Sequence, residues 1–297
     1  TSSESDGTPF GEAVAAILAS GLKQGAGLTP CYQIEIVRQF GVLSATFAIL
    51  ASMYDSINSA PSSETQTSKS LPDDILGLFV FVGDPPGALT DPLVDLAVLS
   101  AADALQRSHQ GIQAQFAGVV RHEWENGRWR DWDEFCTHFA TSVSTGEGAK
   151  RLQARLLASG PGNLESVVVQ DMPLNHYRRL IKSLGSKAGF VVPRKHGYLR
   201  FVLETNLLTS LVNFLGVADM PVETFVRQVN ERLGLVLGTS GLTPNTWMRL
   251  ECMTSGYADI ENVLEESEFL LRKRMVRCGL AVEFSDGTTV LKGLGAK

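Results

Sequence analysis

The chemistry most plainly available to this sequence is the attraction of phosphate. Between Asp171 and Glu204 lie 32 residues holding seven Lys and Arg, together with His176 and His196, and no acidic side chain. The cations are Arg178, Arg179, Lys182, Lys187, Arg194, Lys195 and Arg200. In a chain of formal net charge −6, such a local excess marks an anion-seeking surface. A second basic run, Arg272, Lys273, Arg274 and Arg277, closes a helical stretch that begins with Glu261, Glu265, Glu266 and Glu268, the order a helix dipole favours. Both sets are expected to contact nucleic acid.

Catalytic chemistry finds less support. His122-Glu123 lacks the second histidine of an HExxH zinc site. The nearby Trp124, Trp129 and Trp132 read as core anchors with charged rims. Ser144 to Lys150 departs from the GxxxxGK[ST] phosphate loop, and Gly238-Thr239-Ser240-Gly241 is no nucleophile elbow. Asp84, Asp91, Asp95 and Asp103 are accounted for by turns and a helix cap, and the five histidines show no ligand spacing. Cys31, Cys136, Cys252 and Cys278 stand far apart and form no CxxC pair, as reduced thiols of a cytoplasmic protein would. No catalytic residue, cofactor, metal or small-molecule ligand is expected.

The elements that must position the cations are mostly helical. Thr8-Pro9 and Thr29-Pro30 each set a cap before a proline at the first helical position. After the second, Ile36, Phe40, Leu43, Phe47, Leu50, Tyr54 and Ile57 recur at helical spacing and predict a buried helix. Its uncharged part, Gln39 to Tyr54, is too short and too polar for a bilayer span, and no membrane partner is expected. Ser59 to Pro72 reads as an exposed linker, and Ile75 to Val82 as one buried strand. A helix from Thr90-Asp91-Pro92 runs to about Trp124 with a break at Gly111. Asp131 to Glu134 has capping-box spacing, Ala149 to Ser159 is helical, and Ser166 to Val169 looks like a strand.

One order of elements then occurs twice. A helix from Pro173, with Leu174, Tyr177, Ile181 and Leu184 inward and closed by Gly185, leads into apolar Gly189 to Val192, a turn at Pro193 to Gly197, and Tyr198 to Val202. Ile260 to Arg277 leads likewise into Gly279 to Phe284, a Ser285-Asp286-Gly287 turn and Thr288 to Lys292. Helices at Leu203 to Leu215 and Pro221 to Leu233 precede the second ending. Residues 203–297 therefore resemble the winged helix-turn-helix superfamily, with Leu280 to Lys292 as the wing. In one respect they depart from it: Leu235 to Asp259 separates two helices that the superfamily joins by a short turn. A second unit of the same kind is expected at 131–202.

The resulting picture is a mainly α protein with small β-hairpins. An acidic helical region at 1–130, with its linker at 59–72, is followed by the two winged-helix-like units at 131–202 and 203–297. Residues 1–171 hold 10 Lys and Arg against 20 Asp and Glu, whereas residues 172–297 hold 16 against 12, so the halves suit different partners or each other. No stretch has the layout of a secretory signal, which agrees with a cytoplasmic location. Two functions fit: a non-catalytic DNA-binding protein, or DNA-binding subunit of a larger complex, and a scaffold whose winged units contact other protein subunits.

Overall fold

A computed structural model describes residues 9–25, 30–58, 77–82, 91–171, 174–193, 199–216, 218–253 and 260–292. The expected linker at 59–72 lies outside them. The described chain is mainly helical with short paired strands, as the sequence predicts. Its first half contains α1 (Pro9–Gly25), α2 (Pro30–Asn58), β1 (Leu78–Phe79), α3 (Asp91–Asn126), α4 (Trp132–Val143), α5 (Glu147–Ser159) and α6 (Leu164–Asp171). The second half contains α7 (Leu174–Ala188), β2 (Val191–Pro193), β3 (Leu199–Phe201), α8 (Thr205–Leu215), α9 (Val222–Leu233), β4 (Leu235–Val236), α10 (Pro244–Met253), α11 (Ile260–Arg277), β5 (Ala281–Glu283) and β6 (Thr289–Leu291). The chain divides into two compact units, one of residues 1–54, 66–105 and 179–297, the other of 55–65 and 106–178. These boundaries differ from those the sequence suggests.

In the larger unit, the run from Leu78 to Val82 is buried throughout. It bonds on both sides: β1 pairs in parallel with β4, with Leu78 opposite Leu235, while Phe81 bridges in parallel to Val202. A strand with neighbours and cover on every side needs no polar face, which explains the unbroken apolar run. Phe79 and Phe81 pack with Leu93, Leu96, Val236, Leu250 and Leu264 in one core. The Ser100 hydroxyl accepts the Phe79 amide at 2.8 Å. Leu43, Phe47, Leu50 and Tyr54 form the buried stripe of α2, and α1 packs on α8 and α9. Leu235 to Asp259, which has no assigned element in the sequence reading, supplies β4, a 3-10 turn at Thr239–Gly241 and α10.

The smaller unit is built on aromatic packing. Phe135 and Cys136 are buried with Leu152, Leu156, Leu164 and Val167, and Trp124, Trp129 and Trp132 close around them. The indole N–H groups of Trp129 and Trp132 donate to the Glu123 and Leu156 carbonyls, so the tryptophans are core anchors, as expected. Burial pushes the Cys136 thiol up to about 11, leaving it a packing group. The Asp131 carboxylate caps α4 by accepting the Glu134 amide at 2.8 Å. Glu134 returns its bond to the Arg130 amide, one residue before the cap.

Two local expectations are corrected in this unit. Ser166 to Val169 is helical, within α6, because Leu164, Val167 and Val168 all reach the core at three- and four-residue steps, which only a helix permits. Packing here overrides the β preference of three consecutive valines. Nor does α3 break at Gly111. There a Cβ would stand 1.5 Å from the Ser56 carbonyl oxygen, so glycine allows two helix backbones to approach. Gly111→Ala is therefore expected to destabilise the protein by at least about 1–3 kcal/mol in urea unfolding, whereas Gly118→Ala, with open space at the same helix, should stabilise it by up to about 1 kcal/mol.

Candidate nucleic-acid interface

Helix α7 owes its position to burial along one side and to a fixed stop. Tyr177, Ile181, Gly185 and Ala188 are buried. Gly185 does not end the helix as expected; it lies within it, and a Cβ there would meet Val191 Cγ2 at 2.3 Å. The stop is Gly189, in the left-handed region at φ +70°. Its amide donates to the Ser186 carbonyl at 3.3 Å and that of Phe190 to Gly185 at 2.8 Å, which satisfies the last turn and aims the chain into β2. Val191 then pairs antiparallel with Phe201, and the Phe190 and Phe201 rings lie 4.9 Å apart.

The end of α11 repeats this construction with each residue 90 positions further on. Gly279 stands at φ +72°, its amide donates to Val276 and that of Leu280 to Met275, and Ala281 pairs with Leu291. The Val202 amide bonds to Phe190 at 2.9 Å, and in the second ending Lys292 bonds to Leu280 at 2.8 Å. The hydrogen-bonded turn at Phe284 to Thr288 carries Gly287 at φ +85°, and the Asp286 carboxylate accepts the Thr288 amide. The repeated pattern seen in sequence is thus a repeat of backbone geometry.

The side chains have different surroundings in the two endings. Arg179, Lys182 and Lys187 are exposed, and no described carboxylate pairs with them. Ser183 and Ser186 share their side of the helix, and the exposed Leu180 and Leu184 adjoin it. Leu184 is therefore outward, against expectation, because Gly185 and Ala188 occupy the packed side. Arg178 is half-buried and ends the smaller unit. Arg200 on β3 is half-buried opposite Val192. Arg194 and Lys195, with His196, lie outside the described residues.

On α11 the cations are engaged by the chain itself. Arg272 donates to Glu268 at 2.6 Å and to Glu223 on α9 at 2.9 Å, which matches its charge with two carboxylates and removes it from the phosphate-binding set. Arg274 donates to the Thr205 hydroxyl at 2.6 Å. The Lys273 ammonium sits 4.2 Å from the centre of the Phe269 ring, and Arg277 is exposed at the last turn. The contacts with Glu223 and Thr205 leave no trace in residue spacing, whereas Glu268 and Phe269 stand four residues before the cations they engage.

No motif in the sequence marks the group that organises the Gly238 to Gly241 turn. Glu268 is only 3% exposed, and accepts the Ser240 amide at 2.8 Å, the Ser240 hydroxyl at 2.6 Å and the Thr239 hydroxyl at 3.2 Å as well as Arg272. Gly238 leaves room for it, since a Cβ there would lie 2.4 Å from Glu268 Cβ. Burial acts to raise this carboxyl, but the donors from Ser240 and Arg272 outweigh it and hold it below the ordinary range. Among the described residues no group of His, Cys, Asp and Glu is arranged to hold a metal ion.

No family model, curated protein or solved structure matches the chain.

Because Glu268 titrates lower when folded than unfolded, its contribution to stability is present above pH 4.5 and is lost as pH falls through the folded value. Glu268→Gln is expected to cost about 3 kcal/mol at pH 7, and its melting temperature should fall less steeply than the parent's as pH drops below 4.5. Parallel melting curves for the two proteins would contradict the assignment.

Proposed function

We propose that this protein is a non-catalytic DNA-binding protein, or the DNA-binding subunit of a larger complex, and that its contact surface is the outward side of α7 with the hairpin that follows. The observation that carries the reading is the exposed trio Arg179, Lys182 and Lys187, which pairs with no described carboxylate, within a 32-residue stretch free of acid. Such a trio has no carboxylate to give up before it meets a phosphate, so its full charge is available for counterion release. The seated helix stop and hairpin support a winged-helix reading of this ending, since a helix and wing tip are what that architecture lays against duplex DNA. In sequence, Arg194 and Lys195 belong to the same acid-free stretch.

At 203–297, the order α8, a turn at Asp219 leading into Pro221 bridged antiparallel to Val290, α9, α11 and the β5–β6 hairpin also supports a winged unit. The Asp219 amide donates to Leu291 at 3.0 Å and the Leu291 amide to Met220 at 2.8 Å, so the piece from this turn to Pro221 lies along the hairpin beside β6. For this unit the second reading, protein contact, is favoured by Arg272 and Arg274, whose guanidinium groups bond within the chain.

Binding of a mixed-sequence duplex of about 20–25 base pairs, followed by fluorescence anisotropy across a salt series, tests the proposal. The parent should bind with a steep salt dependence. The triple variant R179Q/K182Q/K187Q should bind all sequences at least about tenfold more weakly near 0.1 M salt and flatten the slope by about 2.7, at about 0.9 per phosphate contact. Absence of binding at about 50 mM salt, or a triple variant that binds like the parent, overturns it.

A further inference from the structure

The outward ridge of α11 is arranged symmetrically about one aromatic ring. Glu261, Glu265, Phe269, Lys273 and Arg277 follow one another at four-residue steps, and all five are exposed. Phe269 is 53% exposed, an uncommon state for so large an apolar ring in the middle of a helix. Two acids precede it and two cations follow it at equal distances. The opposite side of the helix, with Leu264, Ser267, Glu268, Leu271 and Met275, is buried.

We infer that this ridge pairs α11 with a second copy of the same helix, antiparallel about a two-fold axis at Phe269. A two-fold contact uses the same patch on both subunits, so each residue must find its complement elsewhere in that patch. Reversing the ridge about Phe269 does this: Glu265 meets the partner subunit's Lys273, and Lys273 meets the partner subunit's Glu265. The two phenylalanines meet at the axis. Ridges built from four-residue steps interlock when helices cross at about 50°, with axes about 8–10 Å apart, which brings Glu265, Phe269 and Lys273 into the contact zone. A parallel pairing would set acid on acid and cation on cation.

The occupant is set by charge complementarity. A nucleic acid would be repelled by Glu261 and Glu265, and a uniformly acidic or basic protein would satisfy only half of the ridge. The Lys273 ammonium, seated on its own Phe269 ring at 4.2 Å, already lies over the residue at the axis. Affinity then comes from the aromatic pair, while orientation comes from the charges, each exposed ion pair contributing little alone. One helix pair buries less than the ~1,200 Å² of tight complexes, so the dimer is weak, with a Kd on the order of 10–100 μM. This inference is independent of DNA binding through α7.

Sedimentation equilibrium of the full chain over a concentration series reads the dimer constant, with circular dichroism to confirm that each variant is folded. Glu265→Lys and Lys273→Glu each place like charges together twice in the dimer and should weaken it at least about tenfold. The double variant E265K/K273E restores opposite charges and should return to within about threefold of the parent. An equimolar mixture of the two single variants should associate although neither does alone, because each supplies the charges the other lacks. A parent that stays monomeric to about 1 mM, single variants that dimerise like the parent, or a double variant as weak as the singles overturns the inference.

Discussion

A buried strand segment cannot leave its amides and carbonyls unpaired, and the run from Leu78 to Val82 meets this demand only through residues distant in the chain. Leu78 and Val80 donate to Gly234 and Val236, Phe81 donates to Phe201, and Leu203 donates back to Phe81. Parallel pairing on both flanks requires long connections, and helices supply them. The end of the β2–β3 hairpin and the exit of α9 are thereby held to one segment. With Phe190 and Val191 buried at the start of that hairpin, α7 must turn Ile181, Gly185 and Ala188 inward and leave its cations in water.

The two helix-and-hairpin endings show how little backbone geometry says about surface chemistry. Their stops, strand registers and closing hydrogen bonds correspond residue for residue. Around α7 no described carboxylate pairs with Arg179, Lys182 or Lys187. Around α11, Glu223 comes from α9 and Glu268 from the helix itself, and both bond to Arg272. The same architecture thus presents an open positive surface at one ending and a bipolar, partly neutralised one at the other. Glu268 also binds Thr239 and Ser240, so the pairing that withdraws Arg272 from solvent is the one that seats the inserted turn between α9 and α10.

Helix starts and most helix ends were legible in the sequence because they are local. Pro9, Pro30 and Asp131 act on their own first turns, and Gly279 on the residues just before it. The hairpins were legible for the same reason. What misled was local preference without its packing context: three valines suggested a strand in α6, Gly185 suggested a helix end, and Gly111 a break. In each case the neighbour that decides, whether Leu164 with the core, Val191 or Ser56, could not be inferred from the residue's own surroundings in sequence.

Composition and periodicity alone determined the mainly helical class, the repeated helix-and-hairpin order and the gathering of seven cations between Asp171 and Glu204. These follow from torsional preference, apolar spacing and charge count, quantities each residue carries into any fold. Only tertiary structure decided which cations stay open to a ligand and which are matched internally, and that β1 joins β4. Pairing depends on distance in space, and the Coulomb and hydrogen-bond energies that govern it act over a few ångströms between side chains that the chain order leaves far apart.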